Sequence, residues 1–175
     1  MAILTIDDYE LLPSELAEGH ELVDGELVGN TPNHIDLQRF LSEILGTVVR
    51  NRDLGRIYFE LEYDFDGNAH GPDISFIGNH RIHLLDRNKR VQRFVPDLAI
   101  EIASISDTYE GLMQKRKRYL RCGTREVWVI SIEAREVVVY SAERKAILDG
   151  PDVLATDLIS GFSIAVEELF SQGLS

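Results

Sequence analysis

The chain has 175 residues, of which 44% are hydrophobic and 27% charged, with a formal net charge of −12 and one cysteine. This length and composition predict one globular domain, spanning 1–175, that buries a sizeable core without cross-links. The single cysteine excludes an internal disulfide framework and a cysteine-rich zinc site, and no apolar run reaches the ~20 residues that cross a membrane, so we expect a cytoplasmic protein with no membrane partner.

The first quarter of the chain predicts two helices separated by a hairpin. Thr5 is a suitable N-cap for a short helix. Asp24-Gly25 lies between two short alternating runs and predicts a hairpin over 21–28. Thr31-Pro32 opens a longer helix that should end near Arg52. Its predicted apolar stripe contains Ile35, Phe40, Leu41, Ile44, Leu45, Val48 and Val49.

The rest of the chain predicts the strands of one sheet and a third helix. The strand-like runs are 56–61, 62–65 (a continuation or a turn), 73–77, 97–103, 125–130 and 136–140, with a weaker one at 146–148 and a last helical turn over 166–170. The third helix should begin at Ser106-Asp107, with Asp107 and Glu110 as a capping box, and end at Gly123. Between the strands, the basic segment 78–95 has no clear period and is long enough to suggest a function. The order predicts a mixed α/β fold with one central sheet and helices packed against it.

A lone carboxylate, Glu101, lies inside the otherwise apolar run 97–103. A charge on a buried strand is costly unless it is paired or binds a metal. Side chains alternate along a strand, so Glu101 shares its face with Asp97, Ala99 and Ala103. That face is small and acidic, which leaves room beside the carboxylate.

A second acid, Asp73, opens another apolar run. If the two runs are neighbouring strands, Asp73 and Glu101 lie across from each other, and two such carboxylates repel unless they share a proton or a cation. Hard oxygen ligands with open positions suit Mg²⁺ or Mn²⁺. The pattern therefore predicts a divalent-cation site with Asp73 and Glu101 as its ligands. Ile102, the residue after Glu101, is a further candidate ligand.

A lysine on the third helix completes the predicted site. Leu112, Lys115, Tyr119 and Cys122 follow one another at helical spacing and should form the stripe that faces the sheet. Lys115 is then a cation on an inward face, near the acidic strand. Taken alone, it would more often be a lysine whose charged end reaches solvent along an apolar surface. Beside Asp73 and Glu101, a role at the site is the better interpretation.

The acidic charge of the chain is unusual for a protein that handles nucleic acid, but its bases are clustered. Two groups flank the Glu101 strand in sequence; they are Arg81, Arg87, Lys89, Arg90 and Arg93, and Lys115, Arg116, Lys117, Arg118, Arg121 and Arg125. Each of these residues alone could be solvated surface. Together they mildly favour an anionic partner.

Several other residues are accessory candidates with ordinary structural alternatives. They are Glu26, His34, Asp97, Ser104 and Tyr119. His34 could equally be an exposed polar residue at a helix start, and Ser104 is most simply a helix-capping residue. No phosphate-binding glycine loop, serine-hydrolase elbow or zinc-protease helix motif is present.

The motifs, in their order and spacing, resemble a known family. They are Glu21-Leu-Val-Asp-Gly-Glu26, Pro32 and His34, Pro72-Asp73-Ile-Ser-Phe-Ile77, Pro96-Asp97-Leu-Ala-Ile-Glu101-Ile-Ala-Ser104, Lys115, Tyr119 and Gly123, and Arg125-Glu-Val-Trp128-Val-Ile130 with Tyr140 beyond it. Over roughly 21–140 the chain resembles the PD-(D/E)XK, or restriction-endonuclease-like, nuclease superfamily, and within it the Uma-two family of bacterial endonucleases.

The resemblance implies a restriction-endonuclease-like core and a metal-dependent nuclease acting on DNA, commonly as a homodimer. It implies Asp73 and Glu101 as the acids that hold Mg²⁺, Lys115 as the lysine that assists, and Glu21 as an additional carboxylate. Ala103 stands where the superfamily usually has its lysine. In the Uma-two family this lysine resembles one moved to the following helix, which is Lys115 here. Further departures from the family pattern are His20, Ile105 and Ser131, and the first of these lies beside Glu21.

Three functions of different classes follow from these observations. The leading one is a Mg²⁺-dependent endonuclease hydrolysing DNA through Asp73, Glu101 and Lys115. The second is a nuclease-fold protein without catalytic activity, acting as a binding or dimerisation module, which the acidic charge favours. The third is a metal-dependent hydrolase of a small phosphorylated substrate, which would need no basic track for DNA.

Overall fold

The computed structural model describes residues 4–13, 16, 20–23, 25–29, 31–103 and 107–175. In the hairpin at 20–29 it describes only the backbone, apart from Leu22 and Gly25. The helices are α1 (Ile6–Glu10), α2 (Pro32–Asn51), α3 (Tyr109–Cys122) and α4 (Val166–Gly173), with 3₁₀ turns at Asn79–Leu84 and Asp157–Ile159. None of the helices in these ranges combines the length and apolarity that a membrane crossing requires.

The strands belong to one large sheet and three small ones. They are β1 (His20–Val23), β2 (Glu26–Gly29), β3 (Gly55–Phe59), β4 (Glu62–Asp64), β5 (Ala69–His70), β6 (Ile74–Gly78), β7 (Val91–Gln92), β8 (Leu98–Ala103), β9 (Glu126–Ser131), β10 (Glu136–Ser141), β11 (Lys145–Asp149), β12 (Val153–Ala155) and β13 (Ser163–Ala165). The large sheet has the order β11-β10-β9-β8-β6-β3. Strands β8 and β9 are parallel and the other neighbours antiparallel, so the sheet is mixed, as predicted.

Helices cover both faces of the large sheet. On one face, α2 contributes Leu37, Leu41 and Leu45 to a core that also contains Ile100 and Trp128. On the other face, α3 packs Leu112 and Tyr119 against residues of β8 and β9, Ala99 and Val127 among them. This layering puts the inner stripe of α3 directly over the small, acidic face of β8.

Most predicted boundaries agree with the structure. Thr5 caps α1 with a reciprocal capping box to Asp8, and α2 begins at Pro32 and ends at Asn51. Gly123 ends α3 in the left-handed conformation, with φ 108, which a residue without a side chain adopts at little cost. The hairpin, with Gly25 in its turn at φ 88, is also confirmed.

Two predictions about local structure were wrong, and the structure answers two points that the sequence left open. The N-cap of α3 is Thr108, whose side chain accepts a hydrogen bond from the N–H of Gly111, so Asp107 is not the cap and helix α3 starts at Tyr109. Ile35 is 54% exposed although it was placed on the buried stripe of α2. For run 62–65 the sequence allowed a continuation of β3 or a turn. The continuation is excluded, because β4 joins the three-stranded sheet β5-β4-β7, and the chain turns between Phe65 and Asn68. Segment 78–95, in which the sequence shows no clear period, contains a 3₁₀ turn and β7.

Candidate active site

Asp73 and Glu101 lie opposite each other on neighbouring strands. In the antiparallel pair β6–β8, Ile74 is the partner of Ile100, so the register places Asp73, one residue before β6, across from Glu101. The Asp73 side chain also contacts the main chain of β8, because its Oδ2 accepts a hydrogen bond of 2.6 Å from the N–H of Ile102. The structure thus places the two predicted acids opposite each other, with Glu101 in contact with α3 and Asp73 in contact with α2.

Asp73 is held from three sides. Besides the N–H of Ile102, its carboxylate contacts His34, whose Nε2 lies 3.0 Å from Oδ1. The side chain of Gln38, one helical turn after His34, donates a 2.7 Å hydrogen bond to the main-chain carbonyl of Asp73. His34 is 1% exposed and Asp73 6% exposed, so this carboxylate is fixed in position inside the protein.

Glu101 is held by α3. Nζ of Lys115 lies 3.1 Å from Oε2 of Glu101, and the hydroxyl of Tyr119 donates a 2.6 Å hydrogen bond to Oε1. The side chains of Lys115 and Glu101 are 12% and 5% exposed, so Lys115 faces inward and does not extend into solvent. The predicted inner stripe of α3 therefore delivers a cation and a hydroxyl to the same carboxylate.

Burial and the facing carboxylate act together on Glu101. Burial raises the pKa of the Glu101 carboxyl; the charge of Lys115 lowers it, and the charge of Asp73 raises it again, with a net upward shift. The facing acids therefore repel each other even with Lys115 in place. A divalent cation between them would remove this repulsion.

His34 responds to the same negative charge. Burial lowers the pKa of its imidazole, but the hydrogen bond to Asp73 and the charges of Asp73 and Glu101 raise it, and the net shift is upward. Its second ring nitrogen, Nδ1, has no hydrogen-bond partner among the residues that the structure describes. Within those residues, the imidazole is held at the site by its contact with Asp73.

The donor set fits Mg²⁺ or Mn²⁺. Within the described parts of the chain, no three His, Cys, Asp or Glu residues form a ready-made metal cage. Mg²⁺, however, commonly binds through one or two carboxylates and completes its shell with water and substrate phosphate. Asp73 and Glu101 supply such a pair. Ile102 could add only a main-chain oxygen, because its side chain lies in the core at 2% exposure.

The other sequence candidates lie elsewhere or outside the description. Asp97, four residues before Glu101 on the same strand face, is about 13 Å away along the strand. Its Oδ2 accepts from the N–H of Gly78 at 2.9 Å, and its Oδ1 lies 3.3 Å from Nη1 of Arg81, so it fixes the opposite end of β8. The side chains of Glu21 and Glu26 are not described, and Ser104 lies outside the described residues.

Sequence reasoning missed His70. This residue is fully buried, contacts the ring of Tyr119 with centroids 5.7 Å apart, and lies with its Nε2 2.6 Å from Nη1 of Arg118. Because a guanidinium can only donate, the imidazole accepts and is neutral. A signal was available, since His70 stands only three residues before Asp73 in the sequence.

We expect His70 to make the protein less stable in mild acid. Burial, and then the charges of Lys115 and Arg118, lower its pKa well below the ordinary 6.5. Below pH 6.5 the unfolded chain therefore binds a proton that the folded chain does not, and folding stability falls by up to about 1.4 kcal/mol per pH unit. His70→Gln keeps an acceptor for Arg118 and should remove this slope. Urea unfolding of both proteins from pH 8 to 5 would show it, and parallel curves would refute it.

Comparisons with known proteins agree with the fold. The family model Uma2, described as "Putative restriction endonuclease", matches residues 6–167. A crystal structure described as that of "a putative nuclease belonging to DUF820" from Anabaena variabilis ATCC 29413 is similar, with a TM-score of 0.83, 25% sequence identity, and coverage of 98% of this chain and 99% of that chain. No curated protein matches significantly. The sequence resemblance and the fold are thereby confirmed.

Proposed function

Because the chain belongs to the Uma2 family of the restriction-endonuclease-like superfamily, we propose that it is a Mg²⁺- or Mn²⁺-dependent endonuclease that hydrolyses phosphodiester bonds in DNA. The observation that carries the proposal is the facing pair of Asp73 and Glu101, with Lys115 on Glu101. Two acids on a sheet and a lysine on the helix above them are groups that can position a cation against a phosphodiester and neutralise the negative charge of the phosphate.

Each residue of the site has a role in this proposal. Asp73 and Glu101, with a main-chain oxygen of Ile102, would hold the cation. When bound, Mg²⁺ would polarise the phosphate and lower the pKa of a neighbouring water. Lys115 would stabilise the negative charge that develops on the phosphate, or orient the attacking water.

The residues around the acids act by positioning. His34 and the N–H of Ile102 fix the Asp73 carboxylate, and Tyr119 fixes that of Glu101. Held in this way, the acids do not have to reorganise when substrate binds. Much of an enzyme's electrostatic stabilisation of the transition state comes from such preorganised groups. Glu21 is proposed as an additional carboxylate from β1.

The remaining expectations belong to the same proposal. Cutting both strands of a duplex takes two sites, so we propose that the protein acts as a homodimer. Each subunit of this dimer would be a single domain over 1–175 and would contain one active site. The lone cysteine, Cys122, is only partly buried and unpaired, which suits the reducing cytoplasm.

A nuclease-fold binding module without catalytic activity is the second candidate. Its supporting observation is that the site is satisfied by the chain itself. Each oxygen of the Glu101 carboxylate already has a partner, Lys115 or Tyr119, and both oxygens of Asp73 do as well. A relic site stabilised by internal pairing would look the same, and the net charge of −12 opposes non-specific DNA binding.

Metal titration distinguishes the two candidates. Mg²⁺ or Mn²⁺ is added to wild type and to Glu101→Gln, and thermal stability and nicking of supercoiled plasmid are measured. The endonuclease is expected to be stabilised by metal and to nick the plasmid, with both effects lost in the variant. Metal binding without nicking would favour a small phosphorylated substrate. No response to metal in the millimolar range, with a variant more stable than wild type, would favour the binding module.

A further inference from the structure

A basic groove runs beside the edge of the large sheet. Strand β3 is an edge strand, and together with α2 it borders a groove of about 360 Å³. Its charged lining consists of Arg50 on α2, Arg56 on β3 and Arg87 from the segment after β6, and Phe59 lies at one end. We refer to it as the β3 groove.

The described parts of the chain do not neutralise the charge of the β3 groove. Arg50, Arg56 and Arg87 are exposed and form no ion pair with the residues that the structure describes, and the described lining contains no acid. Other arginines of the predicted basic clusters are neutralised by the chain itself. Arg81 pairs with Asp97, Arg90 with Glu62, and Arg93 and Arg121 with Asp64 and Asp66.

The packing of α2 makes room for one of these arginines. Gly46 is buried on α2, four residues before Arg50, and a Cβ at this position would lie 3.1 Å from Nη1 of Arg50. That distance is tighter than ordinary van der Waals contact, so a side chain at position 46 would displace the guanidinium. A glycine there allows Arg50 to lie along the helix at the groove.

The β3 groove leads to the carboxylates. Phe59 is the strand partner of Ile74, the residue after Asp73, and the N–H of Glu60 contacts the carbonyl of Asp73 at 3.3 Å. The side chain of Gln38 bridges the same carbonyl and, at 3.5 Å, Oε1 of Glu60. From Gly55 to Phe59 the groove follows about 13 Å of strand.

We propose that the β3 groove binds one strand of the nucleic acid on its way to the candidate active site. Guanidinium groups match phosphate geometry with two parallel hydrogen bonds, so the three arginines would hold the sugar-phosphate backbone. Phe59, which is 68% exposed, would stack against an unpaired base beside Asp73. The proposal rests on the proposed function and adds to it the path of the substrate.

A second copy of the chain is a poorer occupant. An edge strand can pair with another edge strand, but a two-fold interface brings the same patch of both subunits together. Here it would set three unneutralised arginines against three others. Charge complementarity therefore favours a polyanion.

The test is binding, measured without metal so that cleavage is not required. A variant with Arg50→Gln, Arg56→Gln and Arg87→Gln is compared with wild type by fluorescence anisotropy of labelled single- and double-stranded oligonucleotides in EDTA, over a range of salt. Loss of three phosphate contacts should lower the slope of log affinity against log salt by about 2 for the single strand and about 3 for the duplex, and raise Kd on the order of tenfold at physiological salt. Phe59→Ala should weaken single-stranded binding more than double-stranded binding.

The matched control removes the same charge at the opposite edge of the sheet. This control variant combines Arg125→Gln, Arg144→Gln and Lys145→Gln. The three residues lie near β9–β11, in or beside a groove that also contains acids. An equal loss of binding in both triple variants would overturn the β3 groove as the path, since only net charge would matter. The proposal would also be overturned if the Arg50, Arg56 and Arg87 variant bound or cleaved DNA as well as wild type. It would be overturned too if wild type were a dimer that this variant dissociates. If no protein cleaves DNA but the slope changes as expected, the groove stands while the proposed reaction fails.

Discussion

Asp73→Asn is expected to stay folded and to lose metal-dependent DNA cleavage by about a hundredfold to a thousandfold. Asparagine has the same shape, and its oxygen can still accept from the N–H of Ile102 while its amide faces Nε2 of His34. The substitution removes a charge that raises the pKa of Glu101, so it relieves repulsion and costs little stability. Initial rates of plasmid nicking against Mg²⁺ concentration, with urea unfolding in EDTA, measure both effects.

Asp97→Asn provides the matched control for this prediction. Asp97 is also a buried aspartate on the acidic face of β8, but it pairs with Arg81 and the N–H of Gly78, at the other end of the strand. Its replacement should reduce stability, because the guanidinium loses a buried partner, and leave the cleavage rate of the folded protein unchanged. If both variants lose cleavage in proportion to lost stability, Asp73 is a structural residue and the proposed metal site is wrong.

The chemistry of the site could be read from the sequence because it obeys simple periodicities. Alternation along a strand placed Glu101 on the small face of β8, and helical spacing placed Lys115 and Tyr119 on the inner stripe of α3. Both predictions needed only the local period. The facing of Asp73 and Glu101 needed one further assumption, that their strands are neighbours, and the antiparallel register confirms it.

The residues that support the acids could not be found in the same way. The buried face of a helix is predicted from its apolar residues, and polar residues are assigned to solvent. The predicted buried face of α2 therefore includes Ile35. The structure instead buries His34 and Gln38, because Asp73 supplies their hydrogen-bond partners. Burial of a polar side chain depends on a partner distant in sequence, and the sequence does not state which carboxylate that partner is.

The break between β3 and β4 has a similar origin. The sequence allows runs 56–61 and 62–65 to form one continuous strand, but Glu60 has φ 54, in the left-handed region that strands do not use. The turn lets the N–H of Glu60 contact the carbonyls of Pro72 and Asp73 and sends β4 to another sheet. The irregularity lies beside the candidate site, where tertiary contacts outweigh local preference.

Lys115→Met is expected to destabilise the protein by about 3 kcal/mol at pH 8, because it leaves Glu101 as a buried charge without its cation. Methionine retains the apolar stem, so packing changes little. The effect should depend on pH. Lys115 lowers the pKa of Glu101, and without it the already raised pKa rises further. A carboxyl whose folded pKa lies above its unfolded value keeps its stability in acid and loses it as pH rises through the folded pKa.

Urea unfolding in EDTA at pH 5 and pH 8 tests this expectation, with Lys117→Met as the matched control, since Lys117 is exposed on the same helix. The loss for Lys115→Met should be larger at pH 8 than at pH 5, and the control should be unaffected at both. Adding Glu101→Gln should restore most of the stability, because the neutral amide needs no counter-charge. A loss that is equal at both pH values and is not restored would mean that Lys115 contributes through packing alone, and its proposed role toward the phosphate would lose its electrostatic basis.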